Sequence, residues 1–150
     1  MPMTANRQHA CKQVEFLIID DDEVSVMAIQ RSMKKLDLNY NTHTAKNGVE
    51  ALEILKKSIG SDNLLPPIIT TLDLNMPKMG GLEFLKQVRD DPVLSKLVVF
   101  VITTSDASTD IASAYEKNVA GYIIKGNTSD ISLNVVALLR DYAQISILPC

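Results

Sequence analysis

The run Phe16-Leu17-Ile18-Ile19 ends in three carboxylates, Asp20-Asp21-Asp22. A second apolar run, starting at Ile68, delivers a single carboxylate at Asp73. A turn rich in Pro and Gly follows at once, through Asn75-Met76-Pro77 to Gly80-Gly81. Two apolar runs that both end in carboxylates suit two strands of one sheet, with an acidic pocket at the sheet edge. Asp20, Asp21 and Asp73 crowded together repel one another, so a divalent cation or a cationic side chain is expected among them. Their hard oxygens suit Mg2+, with water filling the remaining positions. Such a cation also shields an approaching phosphoryl group from the carboxylates. Taken alone, Asp20-Asp21-Asp22 reads more simply as a turn and a helix cap; Asp73 tips the reading toward metal.

Two further apolar runs end in polar groups. Val98-Val99-Phe100-Val101-Ile102 leads to Thr103-Thr104-Ser105, hydroxyls that either cap a helix or bond a phosphoryl oxygen. Gly121-Tyr122-Ile123-Ile124 leads to Lys125. Lysines are usually solvated, and one placed directly after a buried strand has little reason to be there unless it meets an anion.

These groups need elements to hold them. Five short runs rich in Ile and Val recur at 15–19, 40–44, 67–72, 97–102 and 121–124; the second is the weakest and belongs at an edge. Helical periodicity fills the intervals. Val24, Met27, Ala28, Arg31 and Leu36 mark the first helix; Val49, Leu52 and Leu55, beside Ala51 and Ile54, mark the second, with Asn47 and Glu50 as a capping box. Leu82, Leu85 and Val88 stripe the third, which Pro92 stops; Ile111, Ala114 and Tyr115 carry the fourth; Ile131, Val135, Leu138 and Leu139 carry the fifth. Alternation of this kind predicts an α/β fold, a five-stranded parallel sheet with helices on both faces. Ser58 to Pro67 is the least periodic interval and reads as a surface loop.

With 150 residues, 46 % of them apolar, the chain has room for one well-buried core. A formal net charge of −3 provides no basic field for nucleic acid or anionic membrane. No apolar run approaches a membrane span, and Met1 to Gln13 lacks the apolar segment of a signal peptide, so a cytoplasmic location is expected. Cys11 and Cys150 show no CxxC spacing and read as free thiols rather than a disulfide or metal site.

From about Glu15 to Tyr142 the chain resembles the response regulator receiver domain, the phosphoacceptor module of two-component signalling. The resemblance rests on Asp20-Asp21, on Asp73 within Asp73-Leu74-Asn75-Met76-Pro77, on Thr103, on Tyr122 and on Lys125, in that order. It implies a flavodoxin-like (βα)5 fold over 15–143, an N-terminal tail over 1–14 and a C-terminal tail over 144–150. It further implies that Asp73 accepts a phosphoryl group from a phosphohistidine on a sensor kinase or histidine phosphotransfer protein. Asp21 and Asp73 then hold Mg2+ directly, Asn75 through its backbone carbonyl and Asp20 mainly through water. Thr103 becomes the switch hydroxyl, Tyr122 the aromatic that turns inward, and Lys125 the conserved cation; Asn75 and Ser105 flank the path of a hydrolytic water. Such a domain is not a classical enzyme, yet it catalyses its own Mg2+-dependent phosphorylation and dephosphorylation. Output passes to a downstream protein target, or through a homodimer, by the face of the fourth helix, fifth strand and fifth helix. Ser132, Asn134, Arg140 and Asp141 are candidates for exposure there. No output domain follows, so direct DNA binding is not expected.

Two features depart from the family pattern. Gly126 stands where Pro usually follows the lysine, which predicts either a trans Lys125–Gly126 bond or a strained cis one. The Ser58–Pro67 loop lengthens the interval before Asp73, as in small stand-alone receivers resembling those that work with phytochrome-type kinases. Two alternatives stay open. One is a receiver-like adaptor without a phosphorylation cycle, suggested by Gly126. The other is an Mg2+-dependent phosphohydrolase, against which stand Asn75, where such enzymes carry a second carboxylate, and the lack of a cap domain.

Overall fold

Every second residue of a strand points to the opposite face of its sheet, so a strand apolar at every position must be covered on both sides. β1 (Glu15–Ile19), β3 (Ile68–Leu72) and β4 (Val98–Thr103) come near this: all but the first residues of β1 and β4 are buried, and only Thr70, Thr71 and Thr103 among the buried ones are polar. The computed structural model, which describes residues 13–126, 129–146 and 148–149, adds β2 (Asn41–Ala45) and β5 (Gly121–Ile124). All pairings are parallel and the strand order is β2-β1-β3-β4-β5. The helices are α1 (Glu23–Lys35), α2 (Gly48–Ser58), α3 (Gly81–Asp90), α4 (Ser108–Glu116) and α5 (Ser129–Ile145). Ile29 and Met33 of α1 and Val135, Val136 and Leu139 of α5 pack on Phe16, Ile18, Ile69, Phe100 and Ile102. Ala51 and Leu55 of α2, Phe84, Leu85 and Val88 of α3 and Ala114 of α4 pack on the opposite face, against Leu17, Ile19, Leu72, Val99 and Val101. The expected α/β sheet covered on both faces is therefore the one observed.

Several local expectations need correction. The second strand lies one residue later than its pattern suggested, at Asn41–Ala45, though at the edge as expected. In α1 the buried stripe is Ile29, Ser32 and Met33, with Val26 and Leu36 packed beside it, whereas Val24, Met27 and Arg31 are exposed. Two apolar stripes interleave on this helix, and periodicity alone does not say which one meets the sheet. Val49, Tyr115 and Leu138 are likewise exposed members of otherwise buried stripes. Pro66 and Pro67 are buried, so the Ser58–Pro67 loop re-enters the core before β3. Asn134 and Asp141 are exposed and Arg140 is half-buried. Cys11, Cys150 and the side chains of Ile131 and Ser132 lie outside the described residues. Helix α5 runs to Ile145, and Leu148 packs against the core shared with α1.

Two of the helices begin with a side-chain cap. Asp22 accepts from the Val24 N–H at 3.0 Å, and Asn47 accepts from the Glu50 N–H at 3.0 Å. Glu50 reaches back to the N–H of Lys46, one residue before the cap, so the expected capping box is closed one position early. Arg89, at the end of α3, donates to four backbone carbonyls: Lys117 (2.7 Å), Ser95 (2.7 Å), Leu97 (2.9 Å) and Asn118 (3.2 Å). It ties the end of α3 to the entry of β4 and to the turn between α4 and β5. Burial holds its pKa below the ordinary value.

Among the described residues one buried side-chain group is left over. Thr70, in the middle of β3, is fully buried and its hydroxyl has no hydrogen-bond partner. An unpaired buried hydroxyl costs about 1–3 kcal/mol, while a methyl of similar size costs nothing of the kind. Thr70→Val is therefore expected to raise stability by roughly 1 kcal/mol. Denaturant titration checks this: an unchanged or lower midpoint would show that the hydroxyl is satisfied in solution.

Candidate functional site

The order 2-1-3-4-5 reverses between β1 and β3, and open parallel sheets bind ligands beyond the carboxyl ends of the strands at such a point. Asp20 follows β1 there and Asp73 follows β3. The backbone holds both: the Asp20 N–H donates to Ala45 O (3.0 Å) and the Asp73 N–H to Ile19 O (3.0 Å). The two carboxylates are 5 % and 7 % exposed, whereas Asp21 is open to solvent. Ligand oxygens of Asp20, Asp21 and Asp73 all lie within 4.8 Å of one another.

Each neighbouring strand adds a group. Thr103, at the end of β4 and fully buried, donates its hydroxyl to Asp73 Oδ1 at 2.8 Å. The Asn75 N–H donates to the same oxygen at 3.3 Å, and the Asn75 side chain is exposed. Lys125, just past β5, donates to Asp20 Oδ2 at 2.7 Å and to Asp73 Oδ2 at 3.5 Å. No peptide bond among the described residues is cis, so the Lys125–Gly126 bond is trans, and the lysine still reaches the carboxylates without the family's Pro. Its own N–H bonds Thr103 O at 2.7 Å, which fixes the strand exit.

The charges explain one another. Burial, the largest influence, pushes the Asp20 carboxyl above its ordinary pKa; Lys125 and the Asp22 N–H pull it back, and Asp73 pushes it up again. Burial by itself lowers the Lys125 ammonium, but the bond to Asp20 and the charges of Asp20 and Asp73 outweigh it, leaving its pKa raised. Asp73 Oδ1 takes two good donors, while Oδ2 has only the long contact with Lys125. One oxygen of a buried carboxylate thus keeps lone pairs for a cation or an electrophile.

Every site residue read from the sequence converges here: Asp20, Asp21, Asp73, Asn75, Thr103 and Lys125. Tyr122 lies beside them, its ring partly packed on the core under α4 and its hydroxyl donating to Ser105 O at 2.8 Å. Burial, ahead of three nearby carboxylates, raises its pKa.

Three supports were not legible in the sequence. Gly81 N–H bonds Leu74 O at 3.0 Å, and a Cβ there would stand 2.6 Å from Asp73 O and 2.8 Å from Leu74 Cα. Gly48 leaves room for Met79, whose carbonyl accepts from the Gly48 N–H at 3.0 Å. Ser105 Oγ donates to Asp110 Oδ2 at 2.6 Å across the start of α4. Only the glycine pair of the Asp73 turn signalled any of this.

The profile described as "Response regulator receiver domain" matches residues 16–136 of the sequence. The chain belongs to the response regulator receiver family. Chemotaxis protein CheY-3 of Vibrio cholerae is 35 % identical to this receiver over 118 residues, 79 % of this chain and 85 % of that one. The crystal structure of the phosphorylated cyanobacterial phytochrome response regulator RcpA superposes with a TM-score of 0.80 at 25 % identity, covering 93 % of this chain and all of the other. The Mn2+-bound form of response regulator Rcp1 shares the fold, with a TM-score of 0.77 at 24 % identity over 93 % of this receiver and 100 % of that chain. Receivers are phosphorylation-controlled switches of two-component signalling; they accept phosphoryl groups from kinases or phosphotransfer proteins and contact downstream targets. The family binds Mg2+ or Mn2+ at an acidic pocket, and this receiver carries the aspartate cluster for it. No helix among the described residues is long and apolar enough to cross a membrane.

Proposed function

We propose that this receiver takes a phosphoryl group onto Asp73 from the phosphohistidine of a sensor kinase or histidine phosphotransfer protein, in an Mg2+-dependent reaction. The observation that carries the reading is the buried Asp73 carboxylate, oriented by Thr103 and the Asn75 N–H and flanked by Lys125, Asp20 and Asp21. Three carboxylates with hard oxygens at this spacing fit a small divalent cation. Asp21 and Asp73 would hold it directly, Asn75 through its backbone carbonyl and Asp20 mainly through water. When bound, Mg2+ supplies positive charge against the carboxylates and the transferring oxygens.

The chain's own groups do the rest. An Asp73 oxygen attacks phosphorus, the bond to the histidine nitrogen breaks, and the electron pair stays on that nitrogen. Lys125 supplies a cation within reach of both buried carboxylates and offsets charge on the transferring oxygens. Thr103, already on Asp73, turns its hydroxyl to the new phosphoryl oxygens. Water then cleaves the acyl phosphate at phosphorus and restores the Asp73 carboxylate, with Asn75 and Ser105 flanking its path. Output passes by protein contact through α4, β5 and α5, where Tyr115, Ile124 and Leu138 are exposed, either to a target protein or to a second copy of the chain.

Incubation with acetyl phosphate and Mg2+ tests the reading, with one phosphoryl group per chain as the expected result. Absence of label would favour the adaptor, and many turnovers of varied phosphoesters the phosphohydrolase. A second expectation concerns the metal. Because Asp21 is exposed, Asp21→Ala removes a ligand without opening the core, and affinity for Mg2+ or Mn2+ should fall by roughly tenfold or more. Isothermal titration measures it; unchanged affinity would take Asp21 out of the metal site.

A further inference from the structure

The turn that follows Asp73 has little of its own to hold it. Asn75, Pro77 and Lys78 are exposed. Lys78 adopts a left-handed backbone, φ 63°. Among the described residues the other non-glycine positions of this kind are Asp37, Asn63 and Asn118, whose short polar side chains tolerate it. A lysine has no such compensation, so the turn is under local strain. Backbone bonds close it at two points. The Gly81 N–H donates to Leu74 O at 3.0 Å, inside the turn, and the Gly48 N–H donates to Met79 O at 3.0 Å, from α2. Met79 adds its side chain to the second joint. A Cβ on Gly48 would stand 2.6 Å from Met79 Cγ and 2.8 Å from Sδ, so the thioether lies directly on the Gly48 backbone, and it packs on the core under α2 and α3. Gly48 is itself well placed. Buried Asn47 caps α2 by accepting from the Glu50 N–H, and Ala45, at the end of β2, accepts from the Asp20 N–H. The junction of β2 and α2 thus touches both sides of the acidic pocket, Asp20 through Ala45 and the Asp73 turn through Met79.

We propose that Met79 is a positioning residue for phosphoryl transfer: its side chain, seated on Gly48, anchors the strained turn so that the Asn75 N–H stays on Asp73 Oδ1 and Oδ2 is the oxygen presented to phosphorus. The Asn75 N–H and the Thr103 hydroxyl together occupy Oδ1, and Oδ2 has only the long contact with Lys125. Met79 acts through the turn, because a soft thioether has little to offer Mg2+ or a phosphoryl oxygen. An unbranched side chain can slide without leaving Gly48, so the anchor survives small shifts and fails when the side chain is lost. The effect on rate rests on the assignment of Asp73 above; the anchor rests on its own geometry.

Labelling of the full chain by acetyl phosphate with Mg2+, followed against donor concentration, tests this. In Met79→Ala the maximal rate should fall about tenfold or more while the half-saturating donor concentration holds, since orientation of the acceptor is lost and donor binding is not. Met79→Leu, which keeps an apolar body of similar volume, should recover most of the rate. Met33→Ala is the comparison. Met33 is 5 % exposed in the core on the opposite face of the sheet, so its truncation should lower the denaturant midpoint at least as far and leave the rate unchanged. Met79→Val, a milder truncation, should show the same split in smaller measure and serves if the alanine chain does not fold. Amide hydrogen exchange reads the anchor itself: Gly48 should exchange about tenfold faster in Met79→Ala and as in the parent in Met33→Ala. An unchanged rate in Met79→Ala, or an equal loss in Met33→Ala, would overturn the positioning role. A parent chain that takes no label would overturn the assignment of Asp73 and the rate effect together, and exchange at Gly48 would then decide the anchor by itself.

Discussion

Asp73→Asn gives a folded protein that acetyl phosphate does not label. The amide has the size of the carboxylate and still accepts from the Thr103 hydroxyl, so the contacts around Oδ1 survive. What is lost is a nucleophilic oxygen. The substitution also removes a negative charge that pushes on Asp20, and Lys125 retains its shorter bond to Asp20. The variant is therefore at least as stable as the parent, while labelling falls to background. Intact-mass measurement after acetyl phosphate treatment, together with a thermal melt, checks both halves. A folded variant that still takes up one phosphoryl group would move the acceptor to another aspartate.

The second large effect belongs to a residue with no functional group. Gly81 does not have a positive φ, so its role is space rather than backbone freedom. An alanine Cβ would stand 2.6 Å from the carbonyl oxygen of Asp73 and 2.8 Å from Leu74 Cα. Both neighbours are backbone and neither can rotate away. The first turn of α3 or the Asp73–Leu74 segment must move, at a cost of about 3 kcal/mol, the upper part of the range for overpacking. A displaced acceptor also slows transfer, since misplacement by about 1 Å can cost a hundredfold. Gly48→Ala is the control. Its Cβ would meet the Met79 side chain, 2.6 Å from Cγ, and an unbranched thioether can repack. Gly81→Ala should lower both the denaturant midpoint and the labelling rate, and Gly48→Ala should lower each by much less. Equal losses from the two variants would mean that Gly81 has no special hold on the acceptor.

The site was the most legible part of the sequence because its residues break a rule. Asp20 and Asp73 follow, and Thr103 ends, strands buried on both faces, where a polar group stands out, and Lys125 follows the half-buried apolar run of β5. The same continuous burial made β1, β3 and β4 plain. The edge strand was harder: Asn41-Thr42-His43-Thr44-Ala45 contains one buried residue, so its limits slipped by one. In α1 two apolar stripes compete, and only the packed sheet chooses Ile29 and Met33 over Val24 and Met27. Arg89 could not be read at all. Its partners are carbonyl oxygens, which every residue has, so the sequence carries no trace of them. Gly81 was visible only as part of the glycine pair after Asp73; that its neighbour is the Asp73 main chain was not. Gly126 raised doubt about Lys125, but in a trans geometry the long lysine stem spans to Asp20 unaided.

The central place of the first strand has a consequence for how the chain comes into being. β1 is made before the other strands, yet it lies between β2 and β3, and its Phe16–Ile18 side is covered by α1 and by α5. During synthesis the face formed by Phe16, Ile18, Ile69, Phe100 and Ile102 stays half bare until Val135, Val136 and Leu139 have left the ribosome. Domains of this kind close as units, and uncovered strands in an incomplete one are prone to aggregate. A nascent chain halted after Lys125 already holds every group of the acidic pocket. Its face toward α5 stays an open apolar sheet until that helix is made.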